Sequence, residues 1–243
     1  MTTDTKGPSW QPTGLLEKAL VQATTWHAGQ SRKVEAEPYI GHLLGVASLV
    51  IEHGGDEEQA CAALLHDSIE DCGVSPKDIE ELFGPDLGPD IAAMVLACTD
   101  TDPDLPAPQD KTTKALHWSD RKETYHAAIR AKAALAEDSA ERRAILVGIC
   151  DKINNCEKSV NDSRGRDAEV FWAPFNAGGT CQEWNYRALL AAYREAAPIK
   201  AEVPGLPRAL DRLERAINEL FPAGRVPTCT VQHSHGPDAG GRR

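Results

Sequence analysis

With 243 residues and a formal charge of −11, from 37 acidic against 26 basic side chains, the chain can bury one substantial core but is too acidic for a general binder of nucleic acid or anionic membrane. A small anionic ligand stays compatible, provided that local lysines, arginines or a metal ion overcome the global repulsion. Seven cysteines (61, 72, 98, 150, 156, 181, 229) without a Cys-x-x-Cys pair read as reduced, mostly buried side chains. The polar stretch Met1 to Trp10 carries no targeting pattern and no window reaches membrane-span length, so a soluble, cytoplasmic protein is expected.

Helical periodicity dominates, and few stretches alternate as strands do. Leu15, Leu16, Ala19, Leu20, Ala23 and Trp26 form the apolar stripe of a first helix. Pro38 opens a second, in which Ile40, Leu43, Leu44, Ala47 and Val50 recur until His53-Gly54-Gly55 stops it. Asp56 is placed to N-cap a third helix that carries His66-Asp67-Ser68-Ile69-Glu70-Asp71 and ends at Gly73. Ser75-Pro76 starts a short fourth helix through Phe83, and Ile91 to Ala97 lie on a fifth. Residues 100–113, rich in Asp, Pro and Thr, read as a loop. Two longer helices follow at roughly 117–137 and 139–160, an irregular Gly- and Pro-bearing segment at about 161–180, and helices near 183–197 and 207–220. The expected fold is all-α, a compact single-domain helical bundle at 13–221 between a flexible N-terminus (1–12) and a disordered tail (222–243).

The third helix is chemically anomalous. A histidine, an aspartate and two further carboxylates follow the apolar run Ala60-Cys61-Ala62-Ala63-Leu64-Leu65, and Glu70 and Asp71 sit in a last turn whose dipole disfavours acids. On one helix His66 and Glu70 share a face, as do Asp67 and Asp71, while His66 and Asp67 diverge by about 100°. Two ligands cannot close a metal site, so other helices must contribute. His42, in the first turn after Pro38, and Asp151, amid Ile145-Leu146-Val147-Gly148-Ile149-Cys150, are the candidates. Asn155 projects one turn beyond Asp151 and is placed to orient a ligand or substrate. Imidazole and carboxylate ligands suit Mn²⁺, Fe²⁺ or Zn²⁺. For each residue taken singly the plainer alternatives are a hydrogen-bonded core histidine and a solvated helix end. His53, His117 and His126 lack such company.

Taken in order, His27-Ala28-Gly29-Gln30-Ser31-Arg32-Lys33, Pro38-Tyr39-Ile40-Gly41-His42, Ala62 to Asp71 and Asp151-Lys152-Ile153-Asn154-Asn155 resemble the HD phosphohydrolase superfamily. The similarity is to the hydrolase domain of RelA/SpoT-type enzymes and to stand-alone small alarmone hydrolases, over about residues 15–160. The resemblance implies one divalent ion, usually Mn²⁺, held by His42, His66, Asp67 and Asp151. It makes Glu70 and Asp71 the catalytic carboxylates and has Arg32 and Lys33 meet base and phosphates. The implied reaction removes the 3′-diphosphate from (p)ppGpp, a small anionic nucleotide, with no nucleic-acid or membrane partner; the oligomeric state stays open.

Three positions depart from that pattern. Leu43 stands where relatives carry proline, Gly148 where they carry lysine, and Asn155-Cys156-Glu157-Lys158 where they continue Asn-x-Arg-Thr, reversing one charge in the expected nucleotide pocket. Arg121 and Lys122 are candidates to restore positive charge. Val170 to Phe175 reads as an aromatic wall or lid beside the site, or as a hydrophobic plug. The rival readings are hydrolysis of another nucleotide (the 2′-phosphate of NADPH, or a nucleoside monophosphate) and a catalytically silent nucleotide-binding or scaffold module.

Overall fold

The computed structural model describes residues 10–100, 118–197 and 205–222. Among these, helices account for all regular structure except an isolated antiparallel bridge between Ser31 and Pro38. Apart from Asp100, the expected loop at 100–113 lies outside the described residues, as do His117, the tail from 223 and residues 1–9. α1 (Gly14–Trp26) begins where Thr13 Oγ1 accepts from the Leu15 amide at 3.1 Å, and it buries Ala19 and Ala23. α2 (Ile40–Glu52) buries His42 together with Leu43, Val46 and Val50. Asp56 caps α3 (Glu57–Leu65) in a reciprocal box with Gln59, satisfying amides that the first turn leaves unpaired.

The chain then breaks at His66–Asp67 and resumes as α4 (Ser68–Cys72), closed by Gly73 at φ 68°. This corrects the expectation of one continuous helix. Asp67 adopts φ −98°, ψ 0°, in the bridge region between helical and extended backbone. One local and one tertiary side-chain bond, which periodicity cannot register, accompany the break. His66 Nδ1 donates to the Ala63 carbonyl at 2.8 Å, and the Tyr39 hydroxyl donates to Asp67 Oδ2 at 2.6 Å.

Next come α5 (Pro76–Phe83), capped by Ser75, then α6 (Gly88–Cys98) and α7 (Trp118–Ala131), which tightens into a 3₁₀ turn over Lys132–Ala134. α8 (Ala140–Ser163) is the central element and buries Ile145, Leu146, Val147, Ile149, Cys150 and Ile153. α9 (Ala168–Trp172), α10 (Gly179–Ala196) and α11 (Leu206–Leu220) complete the described bundle, with α8 touching α2, α3, α6, α10 and α11. A Cβ on Gly148 would stand 2.4 Å from the Tyr193 hydroxyl, so the glycine lets α10 close on α8.

The segment expected to be irregular is partly helical. α8 runs to Ser163, and α9 forms because Asp167 Oδ1 accepts from the amides of Glu169 and Val170. Phe171 and Trp172 are plugs rather than a lid: both are buried, and Trp172 stacks on Phe221 at 5.7 Å and 11°. The expectation of reduced cysteines fails at Cys181, which is disulfide-bonded. Cys61, Cys72, Cys98, Cys150 and Cys156 are free thiols. No helix among the described residues is long and apolar enough to cross a membrane.

Candidate metal centre and cleft

Two buried imidazoles and two carboxylates meet where α2, the α3–α4 break and α8 come together. His42 Nε2 lies 3.5 Å from Asp67 Oδ2 and 3.3 Å from Asp151 Oδ1, and His66 Nε2 lies 3.0 and 3.6 Å from the same two oxygens. Four donors at about 2.1 Å from one ion stand about 3.0 Å apart at right angles and about 3.4 Å apart at tetrahedral angles. The measured spacings bracket those values. His42, His66 and Asp151 also offer donor atoms that all lie within 4.8 Å of one another. His66 Nε2 is fully enclosed and makes no hydrogen bond, an orphan that a cation would satisfy.

Both imidazoles are oriented from behind. His66 Nδ1 is fixed by the Ala63 carbonyl, and His42 Nδ1 by Asn154 Oδ1 at 2.7 Å; a nitrogen that donates there leaves Nε2 facing the cluster. Burial alone would lower the pKa of His42 and of His66, yet the facing carboxylates hold both above the ordinary histidine value. Burial alone would raise Asp67 and Asp151. Instead His66 and His42 hold Asp67 well below the usual carboxylate range, and Lys152 with the two imidazoles does so for Asp151. The pocket is built for positive charge, and its residues fit a divalent cation.

Of the cluster, Asp67 lines a cleft of about 340 Å³ that also takes in Glu70, Asp71, Asp100 and the cations Arg32, Lys33, Arg121, Lys122, Lys152 and Lys158. Withdrawal into the cleft wall and then the charge of Asp100 push the Glu70 carboxyl up to about 8. Asp71 is raised by burial and by Asp67, while Gln30 Nε2 donates to its Oδ2 at 2.7 Å. Arg32 donates to Asn155 Oδ1 at 2.9 Å and lies over the Tyr39 ring. Lys122 pairs with Asp100, which Arg121 also approaches at 3.5 Å; despite burial, these cations hold Asp100 down to about 2.

All eleven residues singled out from the sequence thus lie in or directly behind this cleft. Others were missed. Asp100 follows the apolar stretch of α6 as Asp151 follows that of α8, so the same argument from a carboxylate beside core residues applies to it. Tyr39, Lys152 and Asn154 stand inside the recognised motifs but act through contacts only the fold creates. Lys152 Nζ lies 2.6 Å from Asp151 Oδ2. Glu157 does not reverse the charge of the cleft. It turns away to α11, where Arg212 binds it at 2.6 and 3.0 Å and also binds Glu52. Lys158 faces the cleft instead. Phe175 lines the cleft wall; His53 and His126 are buried elsewhere, the latter bonded to Asn185 at 2.9 Å.

Residues 19–176 match the HD-domain family, and the chain belongs to it. A GTP pyrophosphokinase rsh from Brucella ovis is 42% identical over 74 residues, 30% of this chain and 10% of that protein. A probable guanosine-3′,5′-bis(diphosphate) 3′-pyrophosphohydrolase from Synechocystis is 31% identical over 144 residues, 59% of this chain and 16% of that one. The Aquifex aeolicus guanosine-3′,5′-bis(diphosphate) 3′-pyrophosphohydrolase is 34% identical over 140 residues, 58% and 17% respectively. The matches therefore span less than a fifth of each of these relatives. A metazoan SpoT ortholog described as hydrolysing ppGpp has the same fold, with a TM-score of 0.58 at 24% identity over 88% of this chain and all of that one. A Listeria monocytogenes EGD-e protein gives 0.56 at 24% identity, covering 78% and 99%.

Proposed function

We propose that the chain is a metal-dependent phosphohydrolase that removes the 3′-diphosphate of ppGpp or pppGpp as pyrophosphate, leaving GDP or GTP. The observation that carries this reading is a four-donor cluster that opens through Asp67 onto a cleft holding two further carboxylates of raised pKa and several lysines and arginines. The activities named for the Synechocystis and Aquifex relatives support the choice of nucleotide. His42, His66, Asp67 and Asp151 hold the ion, with Mn²⁺ the proposed native metal. When bound, a divalent cation there supplies Lewis acidity, polarising a phosphoryl oxygen and acidifying a water molecule.

The chain's own residues do the rest. Arg32, Lys33 and Asn155 seat the base and the phosphates nearest it, and Arg121 and Lys122, held by Asp100, meet the diphosphate. Water attacks the phosphorus joined to the ribose 3′-oxygen, and that P–O bond breaks. Asp71, steadied by Gln30, accepts the proton the water releases. Glu70, whose carboxyl keeps its proton towards neutral pH, gives it to the departing 3′-oxygen. The proposed substrate is a free cytoplasmic nucleotide, and the lysines and arginines of the cleft offset the repulsion of the acidic net charge.

Incubation of purified protein and Mn²⁺ with ppGpp, NADPH and GMP tests this reading. Pyrophosphate with GDP from ppGpp is the expected result. Inorganic phosphate without pyrophosphate overturns the alarmone assignment, and metal-free, inert protein overturns the hydrolase.

A further inference from the structure

Asn154 on α8 reaches across to α2, 112 positions away in sequence, to accept from His42 Nδ1 at 2.7 Å. Its carboxamide lies over Gly45, which shares a helix face with His42 three residues earlier. A Cβ at position 45 would stand 2.4 Å from Asn154 Nδ2 and 3.3 Å from its Cγ. Gly45 has ordinary helical φ, so no backbone strain demands glycine there. Inside a helix glycine is less favourable than alanine, and what it provides here is room for the carboxamide. The two histidines of the cluster are therefore secured differently. His66 is held by the Ala63 backbone carbonyl, which no substitution removes, and His42 by a side chain that fits only because position 45 is bare.

We infer that Gly45 and Asn154 are a positioning pair for the metal centre: the bare helix face seats the carboxamide, and the carboxamide fixes the ring orientation and tautomer of His42 so that its Nε2 lone pair faces Asp67 and Asp151. The inference rests on the metal-centre reading and not on the identity of the substrate.

The test is titration of metal-free protein with Mn²⁺ alone, read by calorimetry and by loss of the free-ion electron paramagnetic resonance signal, beside thermal melting without metal. Asn154→Leu keeps the bulk and removes the acceptor; Mn²⁺ affinity is expected to fall about 10- to 100-fold. Asn154→Asp keeps an acceptor and is expected to stay within about threefold of the parent. Gly45→Ala leaves Asn154 in the chain but pushes its amide away, so it weakens Mn²⁺ binding without lowering the metal-free melting temperature. That dissociation is one a purely structural role does not produce, and it decides the matter should Asn154→Leu fail to fold. Parent protein that takes up no Mn²⁺ overturns the metal centre and this inference together. Parent protein that binds while Gly45→Ala and any folded Asn154→Leu match it within about threefold overturns the positioning pair alone.

Discussion

Asn155 Nδ2 donates to Asp151 Oδ1 at 2.5 Å, and the oxygen of the same carboxamide accepts from Arg32. One side chain therefore braces a proposed metal ligand and a proposed substrate cation. Asn155→Ala is expected to weaken Mn²⁺ binding by about tenfold, as loss of an outer hydrogen bond to a ligand does, and also to raise KM at saturating metal. A rise in KM with Mn²⁺ affinity unchanged would show that Asn155 serves only the nucleotide.

Asp67 is the carboxylate that both imidazoles face and that Tyr39 also bonds. It sits at a break between helices, not within one. Asp67→Ala should therefore abolish turnover and Mn²⁺ uptake while circular dichroism keeps its helical amplitude. Parent-like hydrolysis by this variant would remove Asp67 from the centre.

The helices were legible because their apolar periodicity and caps are local. Asp56 and Ser75 are each found bonding the first turn they precede. The motifs also indicated which residues should gather around His66. What sequence could not carry was anything created by contact across the bundle. The kink at Asp67 depends on Tyr39, the seat of Asn154 on Gly45, and the outward turn of Glu157 on Arg212. Charge reversal at Glu157 looked like a change in the nucleotide pocket only because a helix position shows its neighbours on the same helix and not which face meets α11.

The pH dependence follows from Glu70. Withdrawal into the cleft raises its pKa first and the negative charge of Asp100 second; Lys122 opposes, and Asp67 and Asp71 add to the rise, to about 8. If the protonated carboxyl is the proton donor, kcat/KM declines as pH climbs through that value. Asp100→Asn removes a negative charge and frees Lys122, and both changes favour the carboxylate, so the decline should begin at lower pH. Glu70→Gln should leave a slow, flat profile over the same range. An unmoved alkaline limb in Asp100→Asn would assign it to another group.

Arg212 supplies the control on the proposed nucleotide pocket. It clamps Glu157 on α8 and Glu52 on α2 from α11, and none of the three lines the cleft. Both carboxylates keep solvent contact, so the network contributes on the order of 1 kcal/mol, discounted for screening. Arg212→Ala should accordingly lower the melting temperature by about 2–4 °C with KM for the nucleotide unchanged. A rise in KM comparable to that of Arg32→Ala would mean that Glu157 reaches the substrate after all, and that the charge reversal at this position alters what the cleft accepts.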